Sequence, residues 1–213
     1  MKKIEAVVHD AQKLFGERLL RIEKTGGLTL ERYIRFLSMQ HHLTKDVQRH
    51  FFACAAHPTM AHKKTLRKFL INFAQEEEPH YLIASKDLEN LDATPLPSCL
   101  DVQLWWAFFN QHVSSRPFLR LGATCILENI SVGHGVIIKK LMADAKYLNP
   151  RNTRFLVIHQ HEELPHGDQI LEALSSADLS SEDFNDLEEG AKIGATLYLR
   201  MIEWVIHGEN SHG

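Results

Sequence analysis

The sequence predicts an all-α fold, and three observations carry that prediction. Apolar residues recur at steps of three and four along most of the 213 residues. No long alternating apolar–polar stretch and no Asn-Gly or Asp-Gly hairpin signal is present. Five of the seven prolines, and the Gly26-Gly27 pair, fall between the periodic segments rather than inside them. The expectation is a single domain over residues 1–213, built from seven helices, with no low-complexity linker and no repeat at solenoid spacing.

The first helix runs from about Lys3 to Glu23 and stops at Gly26-Gly27. Thr29 is the natural N-cap of the second, with Glu31 in the first turn suiting the positive end of the helix dipole. Arg32 stands where a capping box wants Glu or Gln. That helix carries Tyr33, Phe36, Leu37 and Leu43 and reaches about Ala56, where His57-Pro58 breaks it. The third spans about Met60 to Leu91 and is closed by the loop DATPLPSC. A short apolar helix follows (LWWAFFNQHV), stopped by Ser114-Ser115-Arg116-Pro117. The fifth covers about Phe118 to Ala145, the sixth about Arg151 to Ser176, and the seventh about Ser181 to His207.

Composition excludes several function classes. Lys+Arg 24 against Asp+Glu 27 leaves a net charge of −3, without the basic excess that binds phosphate backbones, so no nucleic-acid partner is expected. Cys54, Cys99 and Cys125 lie in no Cys-x-x-Cys spacing and read as reduced thiols of a cytoplasmic protein. The amphipathic start lacks the apolar run of a signal peptide, and no segment approaches a membrane span. Histidine is the unusual count: 14 of 213 residues carry the commonest metal-ligating side chain.

Some of these histidines interrupt core faces. Leu66, Leu70, Phe73, Glu77, His80, Ala84 and Leu88 share one helical face, so Glu77 and His80 fall within an apolar stripe, while Glu76 and Glu78 point to solvent. A buried carboxylate must be protonated, paired or metal-bound. The sixth helix repeats the pattern: Phe155, His159, Glu163, His166, Ile170 and Leu174 share a face, with three potential ligands among them. Glu77-Glu78-Pro79-His80 and Glu163-Leu164-Pro165-His166 each place a proline before the histidine, inside a helical pattern where it costs about 3 kcal/mol. In the fifth helix Leu121, Cys125, Glu128, Val132 and Met142 share a face, so Glu128 interrupts a third stripe. Small residues nearby (Gly122, Ala123, Ser131, Gly133, Gly135) let another helix or a ligand approach.

One Glu-x-x-His is expected by chance at about this composition, but His-x-x-x-(Asp/Glu)-x-x-His only about 0.1 times. The candidate metal ligands are therefore Glu77, His80, Glu128, His159, Glu163 and His166. A nitrogen and oxygen set without thiolate suits iron or manganese, and six ligands are too many for one ion that keeps open positions. Two carboxylate-bridged ions are the natural solution in a helical bundle.

These residues resemble the haem-oxygenase-like diiron oxidases and oxygenases, also called iron-containing redox enzymes. The resemblance is carried by Phe155-x-x-x-His159-x-x-x-Glu163-x-x-His166, by Glu128 about one helix earlier and by Glu77-x-x-His80 before that. Helix order and length fit over nearly the whole chain. The resemblance implies a seven-helix haem-oxygenase-like bundle without haem, two irons per chain, dioxygen as co-substrate, and N-oxygenation or oxidative cleavage of an amino-acid-like or fatty-acid-like small molecule. Glu128 and Glu163 are the expected bridging or shifting carboxylates, and the other four the terminal ligands. Homodimerisation is implied by the resemblance alone. Electrons would come from an external reductant, because the chain has no flavin or nicotinamide fingerprint. The chain departs from the family's pattern in carrying Glu163 where Asp is commoner.

Four other readings compete. A ferritin-like bundle would need Glu17 or Glu31 as a further ligand. A true haem oxygenase would need a proximal histidine such as His9. A cofactorless relative would use a nucleophile such as Cys125, which reads better as core filler. A partner-binding protein on the same scaffold would bind no metal. At most one of His41 and His42 can lie near the metals, because adjacent residues face apart; Tyr198 could reach the site although nothing in the sequence requires it, and Arg154, Lys139 and Lys140 read as surface. The run Trp105-Trp106-Ala107-Phe108-Phe109 reads mainly as core.

Overall fold

The computed structural model describes residues 1–158 and 166–208, with only the backbone described at His166. Eleven α-helices follow one another among the described residues: α1 (Lys2–Lys24), α2 (Leu30–Thr44), α3 (Gln48–Ala56), α4 (Lys64–Glu77), α5 (His80–Glu89), α6 (Leu100–His112), α7 (Pro117–Asn129), α8 (Gly135–Asp144), α9 (Arg154–Ile158), α10 (His166–Ser175) and α11 (Ser181–His207). The predicted first and seventh helices are α1 and α11, the latter opened by a capping box between Ser180 and Asp183. Thr29 caps α2 by accepting from the Arg32 backbone N–H at 3.3 Å.

Three of the seven predicted helices are divided within the described residues, each at a local cause. The second breaks before α3 where Asp46 takes a φ of 64°, a left-handed conformation that Asp tolerates better than most residues. The third is interrupted at Glu78-Pro79, because proline brings no N–H and crowds the preceding turn. The fifth ends at Asn129, and Gly133 at φ 85° turns the chain into α8. Val132, expected on the buried face of an unbroken helix, consequently lies in the turn and is exposed. The sixth is described as α9 and α10; residues 159–165 between them lie outside the described residues.

The core is organised around α7, where Leu119, Leu121, Ala123, Cys125 and Ile126 are all fully buried, as expected of a helix surrounded on every side. Its closest neighbour is α11. A Cβ on Gly190 would stand 1.9 Å from the Leu119 carbonyl oxygen, one on Gly122 2.1 Å from that of Leu187, and one on Gly194 2.8 Å from Ala123. Glycine lets these two backbones touch. The pairings 190 with 119 and 194 with 123 advance together, so the two helices run side by side in the same direction. Continuing that register brings Tyr198 to the end of α7, where Glu128 stands. A second, smaller cluster joins Tyr33 and Leu37 of α2, Ala84 and Leu88 of α5, and Phe155 of α9.

Cys54, Cys99 and Cys125 are buried free thiols. Among the described residues no helix is long and apolar enough to cross a membrane.

Candidate functional site

Glu77 is the last residue of α4 and His80 the first of α5, so the Pro79 break falls between them. The shared face survives the break: Leu66, Leu70, Phe73, Ala84 and Leu88 are all buried, and Glu77 and His80 are buried among them at 5% and 3% exposure. Glu76 and Glu78 are exposed. His80 Nδ1 and Glu77 Oε2 are hydrogen-bonded at 2.7 Å. A buried carboxylate and imidazole sharing a proton form a unit that can exchange that proton for a metal ion.

Glu128 is half-buried near the C-terminal end of α7. Tyr198 reaches this corner from α11, with its Oη accepting from Gln40 Nε2 at 3.2 Å. Burial, and then the negative charge of Glu128, push the Tyr198 phenol up to about 12, against the hydrogen bond from Gln40, which lowers it. Tyr198 is therefore a neutral phenol at physiological pH.

His159 and Glu163 lie outside the described residues, and the same holds for the side chain of His166. The flanking described residues each lie beside a candidate: Phe155 by His80, and Gly167 by Asn129. On one side the Phe155 ring lies 6.5 Å from that of His80, edge to face. The start of α9 is fixed from α5: the buried Asp87 accepts the Phe155 backbone N–H at 2.8 Å, and Asn90 Nδ2 donates to the Arg151 carbonyl at 2.6 Å. Tyr33 adds a buried bond from its hydroxyl to the Asn152 carbonyl at 2.7 Å. On the other side, Gly167 is pressed against Asn129, the neighbour of Glu128, so closely that a Cβ would stand 2.4 Å from Asn129 Oδ1. Asn129 is itself held by its Nδ2 bond to the Cys125 carbonyl and by Gln12 donating to its backbone oxygen, each at 2.9 Å. The backbone at His166 thus lies against the end of α7. Among the described residues alone, no three His, Cys, Asp or Glu side chains are gathered as a metal site.

Among the buried charged side chains that the sequence reading missed are Asp87 and Arg120. Arg120 is 1% exposed, and its guanidinium sits 4.8 Å from the Phe51 ring centroid, 5.5 Å from that of Trp105 and 5.7 Å from that of Phe109. Its Nη1 donates to Thr124 Oγ1 at 2.7 Å and its Nε to His50 Nδ1 at 3.3 Å. An accepting Nδ1 places the His50 proton on Nε2, which donates to Asn110 Oδ1 at 2.8 Å. Burial pushes Arg120 down to about 10, opposed by the charges of Cys54, Glu128 and Glu77, so it remains cationic. The signal was present in the register: Arg120, Thr124 and Glu128 are spaced four apart, a polar stripe on an otherwise apolar helix.

Other candidates resolve on position. His41 Nδ1 bonds Ser85 Oγ at 2.8 Å and His42 Nε2 bonds the Leu96 carbonyl at 2.7 Å. Arg154, Lys139 and Lys140 are exposed, Lys140 being paired with Glu23. Trp105 and Phe109 are core residues, while Trp106 and Phe108 are half-buried. His9 is exposed, which removes it as a proximal haem ligand in this structure, and Glu31 faces solvent beside Arg35 rather than serving a ferritin-like centre. Cys125 is fully buried and its thiol is pushed up to about 12 by burial, so it is no thiolate nucleophile.

No family model matches the sequence, and no curated protein matches it. Two solved structures share the fold. A domain of unknown function with a haem oxygenase-like fold from Shewanella denitrificans OS217 superposes with a TM-score of 0.74 at 20% identity, over 96% of this chain and 89% of that one. A CADD-like protein of unknown function from Nostoc punctiforme PCC 73102 gives a TM-score of 0.70 at 13% identity, over 99% of this chain and 100% of that one. The chain has the all-α haem oxygenase-like fold.

Proposed function

We propose that this chain is a non-haem, iron-dependent oxidase or oxygenase that uses dioxygen and an external reductant on a small organic substrate. The observation that carries the reading is the buried Glu77–His80 pair on an otherwise apolar face, and it is supported by Phe155 lying beside His80 and Gly167 beside Asn129, the neighbour of Glu128. Glu77, His80, Glu128, His159, Glu163 and His166 would hold two irons, with manganese as the other metal this donor set suits. A pair of irons, when bound, supplies dioxygen activation. The chain's own contribution is to exclude water with the surrounding apolar residues, to keep the Tyr198 proton on its oxygen beside Glu128, and to hold the His80 imidazole against Glu77. By resemblance, the substrate is amino-acid-like or fatty-acid-like.

The test is oxygen consumption after anaerobic loading with ferrous iron. Glu128→Ala and His80→Ala are expected to abolish iron-dependent oxygen uptake while the helical circular dichroism is retained. Uptake at the wild-type rate in both would overturn the reading.

A second reading, a metal-free scaffold, is favoured by one observation. Glu77 already has a partner in His80, and Arg120 already supplies a buried positive charge. It predicts that the wild-type chain takes up no ferrous iron.

A further inference from the structure

His80 and Asp87 stand two turns apart on one face of α5, and both are buried, Asp87 completely. Phe155 meets the two of them. Its backbone N–H donates to Asp87 Oδ2 at 2.8 Å, and its ring packs edge to face against the His80 imidazole, 6.5 Å between centroids. The Phe36 ring of α2 packs on the same ring at 6.2 Å, again edge to face, so the Phe155 ring has a defined seat.

The bond from Asp87 does the work of a helix N-cap from another helix. Phe155 is the second residue of α9, and the first N–H groups of a helix need acceptors from outside its own ladder. Thr153 stands just before α9, where a cap belongs, yet its hydroxyl donates to the Asn149 carbonyl at 3.0 Å. The acceptor comes instead from α5, the helix that begins with His80. The loop before α9 has other ties. Asn90 Nδ2 holds the Arg151 carbonyl at 2.6 Å, and the Tyr33 hydroxyl holds that of Asn152 at 2.7 Å. Loss of the Asp87 carboxylate therefore frees the direction in which α9 and the Phe155 ring leave the loop, while the loop itself stays attached.

We propose that Asp87 is a positioning residue for His80: it fixes the Phe155 backbone, and the Phe155 ring in turn holds the imidazole in the orientation from which it can take a metal ion. The metal half rests on the function proposed above; the orientation of the imidazole does not.

The experiment follows the imidazole C–H NMR signals of His80 in the chelator-treated chain at one pH, assigned by their loss in His80→Gln. Phe155→Leu removes the aromatic neighbour and is expected to shift them. Asp87→Ala is expected to shift them in the same sense, and to add nothing in the Phe155→Leu background. Asp87→Asn, which keeps an acceptor for the Phe155 N–H, is expected to leave them near their wild-type place. Signals unmoved by Asp87→Ala or by Phe155→Leu, or shifts that add in the double variant, overturn the proposal. Should Asp87→Ala fail to fold, Asp87→Leu takes its place with the same outcomes, and failure of both to fold makes Asp87 a stability residue and overturns it. For the metal half, folded Asp87→Ala is expected to bind Mn2+ several-fold more weakly than wild type, and Asp87→Asn to bind like wild type. Equal binding by Asp87→Ala overturns that half. If wild type binds no Mn2+, the metal reading fails and the His80 signals alone decide the positioning role.

Discussion

His50 illustrates what burial does to a single side chain here. Its imidazole is pushed down to about 4, by desolvation first and then by the charge of Arg120, against the hydrogen bond to Asn110. In the unfolded chain it returns to the ordinary value of about 6.5. The unfolded state therefore takes up the proton first, and His50 contributes its full stability above pH 6.5 and loses it as the pH falls toward about 4. The loss is on the order of 3 kcal/mol, because each unit is worth about 1.4. Urea denaturation of wild type against His50→Gln should show the wild-type advantage shrinking across that window. An advantage that stays constant between those pH values would contradict the assignment. At this same scale the sequence was partly legible. Glu77 and His80 could be found because each replaces an apolar residue at a fixed helical step. Arg120 went unnoticed because its neighbours Phe118, Leu119 and Leu121 made the whole stretch read as apolar, and only the three-dimensional cage reveals that the charge is enclosed.

A junction between elements brings Glu77 and His80 together. Pro79 ends α4 and starts α5, so that Glu77 and His80 face one another across a break rather than along a continuous helix. Both prolines in helical patterns were legible in the sequence, as was the loop DATPLPSC. The break at Asp46 was not, because a non-glycine residue in a left-handed conformation leaves no compositional signal. Gly167 was equally silent, since its role depends on α7 arriving opposite it. Gly167→Ala should push α10 away from the end of α7, because the new methyl would stand 2.4 Å from Asn129 Oδ1. The expected cost is about 1–3 kcal/mol in urea denaturation, as for other overpacked contacts. Adding Asn129→Ala should recover part of it. A Gly167→Ala chain as stable as wild type would show that α10 does not need this approach.

For the whole molecule, α7 is a buried axis flanked by α11, with the candidate Glu128 near its C-terminal end. The all-α class could be read from the sequence because helical periodicity persists through the breaks at Asp46 and Pro79, whereas the haem oxygenase-like fold came from the resemblance. The divisions themselves bend the chain at Asp46, Pro79 and Gly133 without changing which residues face the core, except beyond Asn129, where Val132 turns out to solvent. The two solved structures share the architecture at 20% and 13% identity, and at that distance the fold is what they convey. Function therefore has to be argued from a site rather than from the fold, and the proposed one is built on Glu77, His80 and Glu128. The most direct measurement is anaerobic titration of the chelator-treated chain with ferrous iron, comparing wild type with His80→Ala. The account predicts two ferrous ions per wild-type chain and loss of at least one in the variant. No bound iron in wild type, or equal binding by both proteins, would contradict it.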